Sequence, residues 1–358
     1  MITSEHHLSR PHARPHASSL LRPVSVQVPT SALALGFPRL VGDVGGTNAR
    51  FALIEGPDGI PAHLRTLRVA DHVNIADAIE SYLTSLEQDG ATTDRPCAAA
   101  LALATPIGGD SVVMTNNGWR FSRHALQERL GLDALLLLND FEALALALPR
   151  LRPSQLRADL PRQPLGDVMA AVGPGTGLGV AGVVRTPVGW VALPGEGGHA
   201  TLAPADDYES ALLVHVRQAL PHVSGERLLS GLGLPTLYRA VANVNGHAAR
   251  DLVAEQIVAY GIDGSDAMCA ATLDAFCALL GNFAGSVALT MGARAGVYIG
   301  GGIVPRLGER FFASAFRARF EAKGRFRDYL ERIPTPVITD TLAALSGAAG
   351  ALDQHVPR

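Results

Sequence analysis

Two stretches of this 358-residue chain share one design, and that design restricts the fold more than any other feature. LVGDVGGTNARFAL stands at 40–53 and AAVGPGTGLGVAGVV at 170–184. In each, an apolar run enters a turn of glycine and threonine, and a second apolar run leaves it. GTNARFAL (46–53) can be laid on GTGLGVAG (175–182). A strand–turn–strand unit present twice implies a duplicated fold with a cleft between its halves.

Glycines let such a turn bend tightly and let a ligand come within hydrogen-bond distance of the backbone. Consecutive N–H groups then form a nest for an anion. Thr47 and Asn48 add side-chain donors, and Asp43 just upstream can hold a metal ion directly or through water. The set Asp43, Gly45, Gly46, Thr47 and Asn48 therefore suits Mg²⁺-bound phosphate, although an ordinary hairpin turn uses similar residues. In the second copy, a dinucleotide fingerprint would have to open a helix, whereas VAGVV reads as a strand. Gly175, Thr176 and Gly177 are thus the candidates to grip a polyphosphate from the other side. A third cluster, Gly300, Gly301 and Gly302 in YIGGGIVP, joins a strand to a helix. It would let a flat group such as adenine lie against backbone, or serve only as a tight turn.

Composition narrows the alternatives. With 47% hydrophobic and 18% charged residues the chain is an ordinary soluble globular protein, and a net charge of −3 gives no reason to expect nucleic acid or a membrane surface as partner. No run approaches the roughly 18 uninterrupted apolar residues of a membrane span. Cys97, Cys269 and Cys277 show no metal-binding spacing and read as small buried hydrophobes in a reducing compartment. Lys323, the sole lysine, lies in EAKGRF, outside any glycine-rich loop. A P-loop is excluded, and so are a kinase strand lysine and a Schiff-base lysine at a core site.

Strands and helices alternate, so the class is α/β. Strands are expected at 40–44, 49–55, 63–70, 97–104, 134–140, 167–172, 180–185, 188–193, 296–300 and 336–339. Helices are expected at 74–88, from Ser122 to about 130, and at about 206–219, 225–230, 234–243, 250–260, 265–292, 306–322 and 340–352. Residues 1–38, rich in proline, histidine and arginine, read as a disordered extension. A polar linker, RLRPSQLRADLPRQP, follows Pro149. The expected division is a small α/β domain of 39–150 plus 338–358 and a large one of 151–337, with hinges near 149–165 and 338.

Working residues of α/β proteins gather where strand ends face a crevice. LLNDFEALALALP (137–149) places Asn139 and Asp140 at such an end. Asp140 could be a helix N-cap, or could accept a proton from a substrate hydroxyl. Asn139 beside it points to a sugar-like ligand. LPGEGGHATLAP (193–204) and HVSGERLLSG (222–231) contribute Glu196, His199 and Glu226 among glycines. Carboxylates accept paired hydroxyl hydrogens and histidine can donate or accept, so their convergence would suit a polyol.

Taken in order, LVGDVGGTNARFAL, MTNNGWRFS (114–122), LLNDFEALALALP, GPGTGLGVA, LPGEGGHATLAP, SGERLLSGLGLPTLYRA and YIGGGIVPRL closely resemble the bacterial glucokinases of the hexokinase/actin-like ATPase superfamily, from about 39 to 350. The resemblance implies a duplicated actin-like ATPase (ribonuclease H-like) fold with two domains flanking a cleft. It implies ATP and Mg²⁺ as cofactors and glucose as substrate, Asp140 as catalytic base, and Asn139, Glu196, His199 and Glu226 on the sugar. The loops at Gly45–Asn48 and Gly175–Gly177 would take the phosphates, with Gly300–Gly302 near adenosine. A cytoplasmic homodimer is implied as well. No cysteine-rich zinc motif follows His199, which favours the non-zinc group. Rival expectations are a kinase for mannose or fructose, a sugar-sensing regulator without turnover, and an acyl-phosphate kinase on the same fold.

Overall fold

The structure, a computed structural model, describes residues 36–57, 59–91, 94–158 and 165–355. The extension expected over 1–38 lies outside the described residues up to 35, as does the stretch 159–164 of the linker.

The first half begins with β1 (Arg39–Val44), β2 (Asn48–Ile54), β3 (Pro61–Arg68), α1 (Ile75–Gln88) and β4 (Ala98–Leu103). A small hairpin, β5 (Ser111–Val113) and β6 (Arg120–Ser122), precedes α2 (Arg123–Leu130), β7 (Ala134–Asn139) and α3 (Asp140–Ala147). The second half runs β8 (Leu156–Arg157), β9 (Val168–Pro174), β10 (Leu178–Thr186), β11 (Gly189–Gly195), α4 (Asp207–Arg217), α5 (Leu234–Val244), α6 (Ala254–Asp263) and α7 (Ala267–Met291). It ends with β12 (Gly296–Ile299), the short helices α8 (Val304–Leu307), α9 (Glu309–Ala313), α10 (Phe316–Glu321) and α11 (Arg327–Glu331), then β13 (Val337–Ile338) and α12 (Ala343–His355).

The two sheets bear out the duplication. Their orders are β3-β2-β1-β4-β7 and β11-β10-β9-β12-β13-β8. In each, an antiparallel three-stranded meander is extended by parallel strands on the side of its first member. The second sheet adds the two-residue strand β8.

Alternation along the strands divides the first sheet between two cores. Leu40, Phe51, Leu101 and Leu103 pack toward α1, whereas Val41, Ala52, Ala98 and Ala100 pack toward Leu345, Ala348 and Leu352 of α12. Alanines on β4 leave room for a helix to lie close. The helices cross over between halves. α3 follows the last strand of the first sheet, yet Leu146 and Ala147 pack with Ala171, Ala181 and Val183 of the second. α12 follows the second sheet and covers the first. Where the two helices meet, a Cβ on Gly347 would collide with the carbonyl of Ala143 and come within 3.0 Å of the amide of Ala147. Only glycine permits that approach. Gly347→Ala is expected to cost about 2 kcal/mol of stability through overpacking against backbone, measured by denaturant unfolding. A neutral result would mean that the helices can separate freely.

Two expected helices are corrected. Residues 225–230 form turns, because glycines at 225, 231 and 233 take tight bends; a Cβ on Gly233 would lie 2.6 Å from the carbonyl oxygen of Arg227. The helix expected at 306–322 is three short pieces, broken at Gly308, whose φ of +54° favours glycine, and near Ser314. The long apolar α7 has the length and composition to cross a bilayer, but 67% of its apolar window is buried, and it packs in the largest core. Cys269 and Cys277 lie on it, buried as expected, and Cys97 is partly buried; all three are free thiols.

Candidate active site

The end of β7 sets the first group. Asn139 has extended backbone and caps α3: its side-chain oxygen accepts from the Phe141 amide at 2.9 Å, while Glu142 accepts from the Asn139 amide at 3.3 Å. The cap role considered for Asp140 thus falls to its neighbour. The Asn139 amide group also donates to the Thr105 carbonyl at 3.3 Å. Asp140, freed from capping, stands at the first helical position, and its carboxylate accepts from the Phe141 amide at 2.9 Å. Burial pushes its pKa up to about 6 against that hydrogen bond, and the negative charges of Asp43 and Glu196 push the same way.

Asp43 lies near the end of β1, two strands away across the sheet. Its cross-strand neighbour Arg50 donates to it at 3.0 Å. Burial raises the Asp43 pKa, and the Arg50 guanidinium opposes that shift. Among the described residues, no group of three or more His, Cys, Asp or Glu side chains could hold a metal ion alone. Mg²⁺ on a phosphate chain keeps several waters and needs only one or two carboxylates. Asp43, aided by the nearby charge of Asp140, fits that limited demand.

Each glycine loop is closed by a bond within its own backbone, spanning three residues in the first and two in the second. In the first, the Gly45 amide donates to Asn48 O at 2.9 Å; in the second, the Gly175 amide donates to Gly177 O at 2.8 Å. The amides of Gly46 and Thr47, like those of Thr176 and Gly177, have no acceptor among the described residues. Each loop therefore offers a pair of adjacent donors, as an anion nest requires. The first is braced by the turn after β5: Asn117 donates to Gly45 O at 3.1 Å, and Asn116 packs against Gly46. The second is braced by Gly231, whose amide donates to Gly175 O at 2.8 Å. The third glycine cluster adjoins it. Gly301 has φ +75°, and a Cβ there would collide with Pro174, the residue before Gly175.

The remaining candidates converge from the second half. His199 Nδ1 is 3.8 Å from Glu226 Oε1, and its Nε2 is 3.9 Å from Glu196 Oε2. Glu226 Oε2 accepts from the Leu178 amide at 3.0 Å, and its own amide donates to Gly198 O at 2.8 Å. Glu226 thus joins the Glu/His cluster to the strand leaving the second loop. The charge of Glu196 felt at Asp140 links this cluster to the end of β7. Thr105, Asn116, Asn117 and Phe141 were not singled out from sequence as site residues. The MTNNGWRFS motif signals the two asparagines, but nothing local marks Thr105.

The glucokinase family model matches residues 40–355. A glucokinase of Aromatoleum aromaticum is 48% identical over 318 residues, covering 88% of this chain and 95% of that one. The crystal structure of a glucokinase from an Antarctic psychrotroph superposes with a TM-score of 0.81 at 39% identity, covering 88% of this chain and 98% of that one. A glucokinase of Streptomyces griseus, solved with glucose and AMPPNP, shares the fold at 18% identity and a TM-score of 0.57, covering 87% and 98%.

Proposed function

The chain belongs to the glucokinase family, and from that premise we propose that it transfers the γ-phosphoryl group of ATP to the 6-hydroxyl of D-glucose, with Asp140 as general base. The observation that carries this reading is the placement of Asp140: a carboxylate at a strand end, with a pKa pushed up to about 6, within electrostatic reach of both Asp43 and Glu196. A base needs a pKa near the working pH, and burial supplies it.

Asp140 accepts the hydroxyl proton as the sugar oxygen attacks phosphorus. Glu196, His199 and Glu226 hold the other hydroxyls, and Asn139 completes the set with the amide hydrogen not committed to Thr105. The nests at Gly46–Thr47 and Thr176–Gly177 take the phosphate oxygens from opposite sides, and adenosine lies by Gly300–Gly302. Asp43 would hold Mg²⁺, and the ion would supply positive charge to offset the charge on the phosphate oxygens. Positioning and electrostatics provide most of the acceleration. Water is a competing nucleophile, so closure of a small domain (39–150 with 338–358) on a large one (151–337) completes the site only around sugar. The family likeness supports a cytoplasmic homodimer, which light scattering of the purified protein tests.

Measuring ADP formation with glucose, mannose and fructose in turn tests the substrate. Turnover only with another hexose would replace glucose, and no turnover with any of them would favour the regulator. A pH profile tests the base. Asp140 must be ionised to act, so kcat/KM for glucose is expected to fall as pH drops through about 6 and to level off above it. Glu196→Gln removes a negative neighbour that disfavours ionisation, so its acidic limb should lie at lower pH. A limb that stays in place would separate Glu196 from Asp140.

A further inference from the structure

Phe141 is the residue after the proposed base, and its ring fills a notch cut in the second hairpin. Gly173 and Gly179 are register partners on β9 and β10, and they flank the loop Gly175–Gly177. A Cβ on Gly173 would lie 2.5 Å from Phe141 Cζ. On Gly179 it would collide with the ring, since the three nearest atoms are Phe141 Cδ2, Cε2 and Cγ. Two facing glycines therefore make the space, and one aromatic ring from α3 occupies it. Neither glycine has a positive φ, so backbone conformation does not demand glycine at either position.

We propose that Phe141 is a positioning residue, a peg that fixes Asp140 relative to the Gly175–Gly177 phosphate loop. Asp140 and Phe141 are adjacent at the first turn of α3, and the Phe141 amide also bonds the Asp140 carboxylate and the Asn139 cap. The ring ties this turn to the strands on either side of the loop. The ring thereby keeps the base in register with that loop. The proposal rests on Asp140 as base and on the second loop as a phosphate site.

Gly179→Ala tests it most directly, because the added methyl meets only the ring among its nearest atoms. The ring must move and carry Asp140 with it, and misplacement of about 1 Å costs on the order of 10²-fold in rate. We expect kcat to fall by about that factor, with the glucose dissociation constant, measured by isothermal titration without nucleotide, within about three-fold of the parent. Gly179→Ala combined with Phe141→Leu relieves the collision and should recover at least about ten-fold of the lost kcat. Phe141→Leu alone, which leaves both glycines in place, should lower kcat about ten-fold at unchanged glucose affinity. A parental kcat in Gly179→Ala, no recovery in the double variant, or a parallel loss of glucose binding in Phe141→Leu would each overturn the proposal. Asp140→Asn assayed alongside separates the premise from the inference: parental turnover there removes the base, whatever the glycine variants do.

Discussion

Asp140→Asn is expected to lose kcat by about 10²–10⁴, the usual contribution of a general base, while the KM for glucose changes only a few-fold. The amide keeps the size of the side chain and can still accept the Phe141 N–H, so the first turn of α3 survives. What disappears is the ability to take a proton at neutral pH. The same substitution should stabilise the fold at neutral pH. Burial raises the carboxyl from 3.8 to about 6, so holding it ionised in the native state carries a free-energy penalty. That penalty develops as pH rises above the unfolded value and is complete above about 6. The variant should therefore melt higher than the parent at pH 7.5, and the difference should close below about pH 4. Lower turnover together with a higher Tm identifies a lost functional group rather than a damaged fold. A near-parental kcat would remove Asp140 from the chemistry.

How much of this was legible in the sequence depends on the range of the forces involved. The two Gly/Thr hairpins were readable because their signal is local: apolar strands on either side and glycine between. The duplicated sheet order followed from them. The Asn139–Asp140 pair was readable as a strand end, although which of the two caps the helix was not, since both residue types cap well. Residues 225–230 were misread because ERLLSG has helical spacing, whereas its glycines and the bond from the Glu226 amide to Gly198 select turns. The β5–β6 hairpin was passed over because three-residue strands carry almost no periodicity. The peg of Phe141 in Gly173 and Gly179 joins residues more than thirty positions apart, and no local pattern encodes that contact. The proposed residue roles come from the family resemblance of the ordered motifs taken together, because a single carboxylate between glycines carries too little information to assign one.

Glu226 illustrates that last point and leads to the second large effect. Its carboxylate has two connections: Oε2 accepts from the Leu178 amide at 3.0 Å, and Oε1 stands 3.8 Å from His199. The first anchors the strand that leaves the Gly175–Gly177 loop, the proposed phosphate segment, and the second belongs to the proposed sugar site. Glu226→Ala removes both, leaving the Leu178 amide without its acceptor. A hydrogen bond to a charged group contributes about 1.5–3 kcal/mol, and the variant loses the Leu178 bond together with the proposed bonds to sugar hydroxyls. A fall on the order of 10³ in kcat/KM for glucose is therefore expected. Glu226→Gln separates the two functions. Its amide oxygen can still accept from Leu178, so the loop and the KM for ATP should be preserved. Its lost charge weakens the partnership with His199 and the sugar hydroxyls, so the KM for glucose should rise by about ten-fold. If Glu226→Gln raised the KM for ATP as much as that for glucose, the carboxylate would serve the loop alone. An unchanged glucose KM would remove Glu226 from the sugar site.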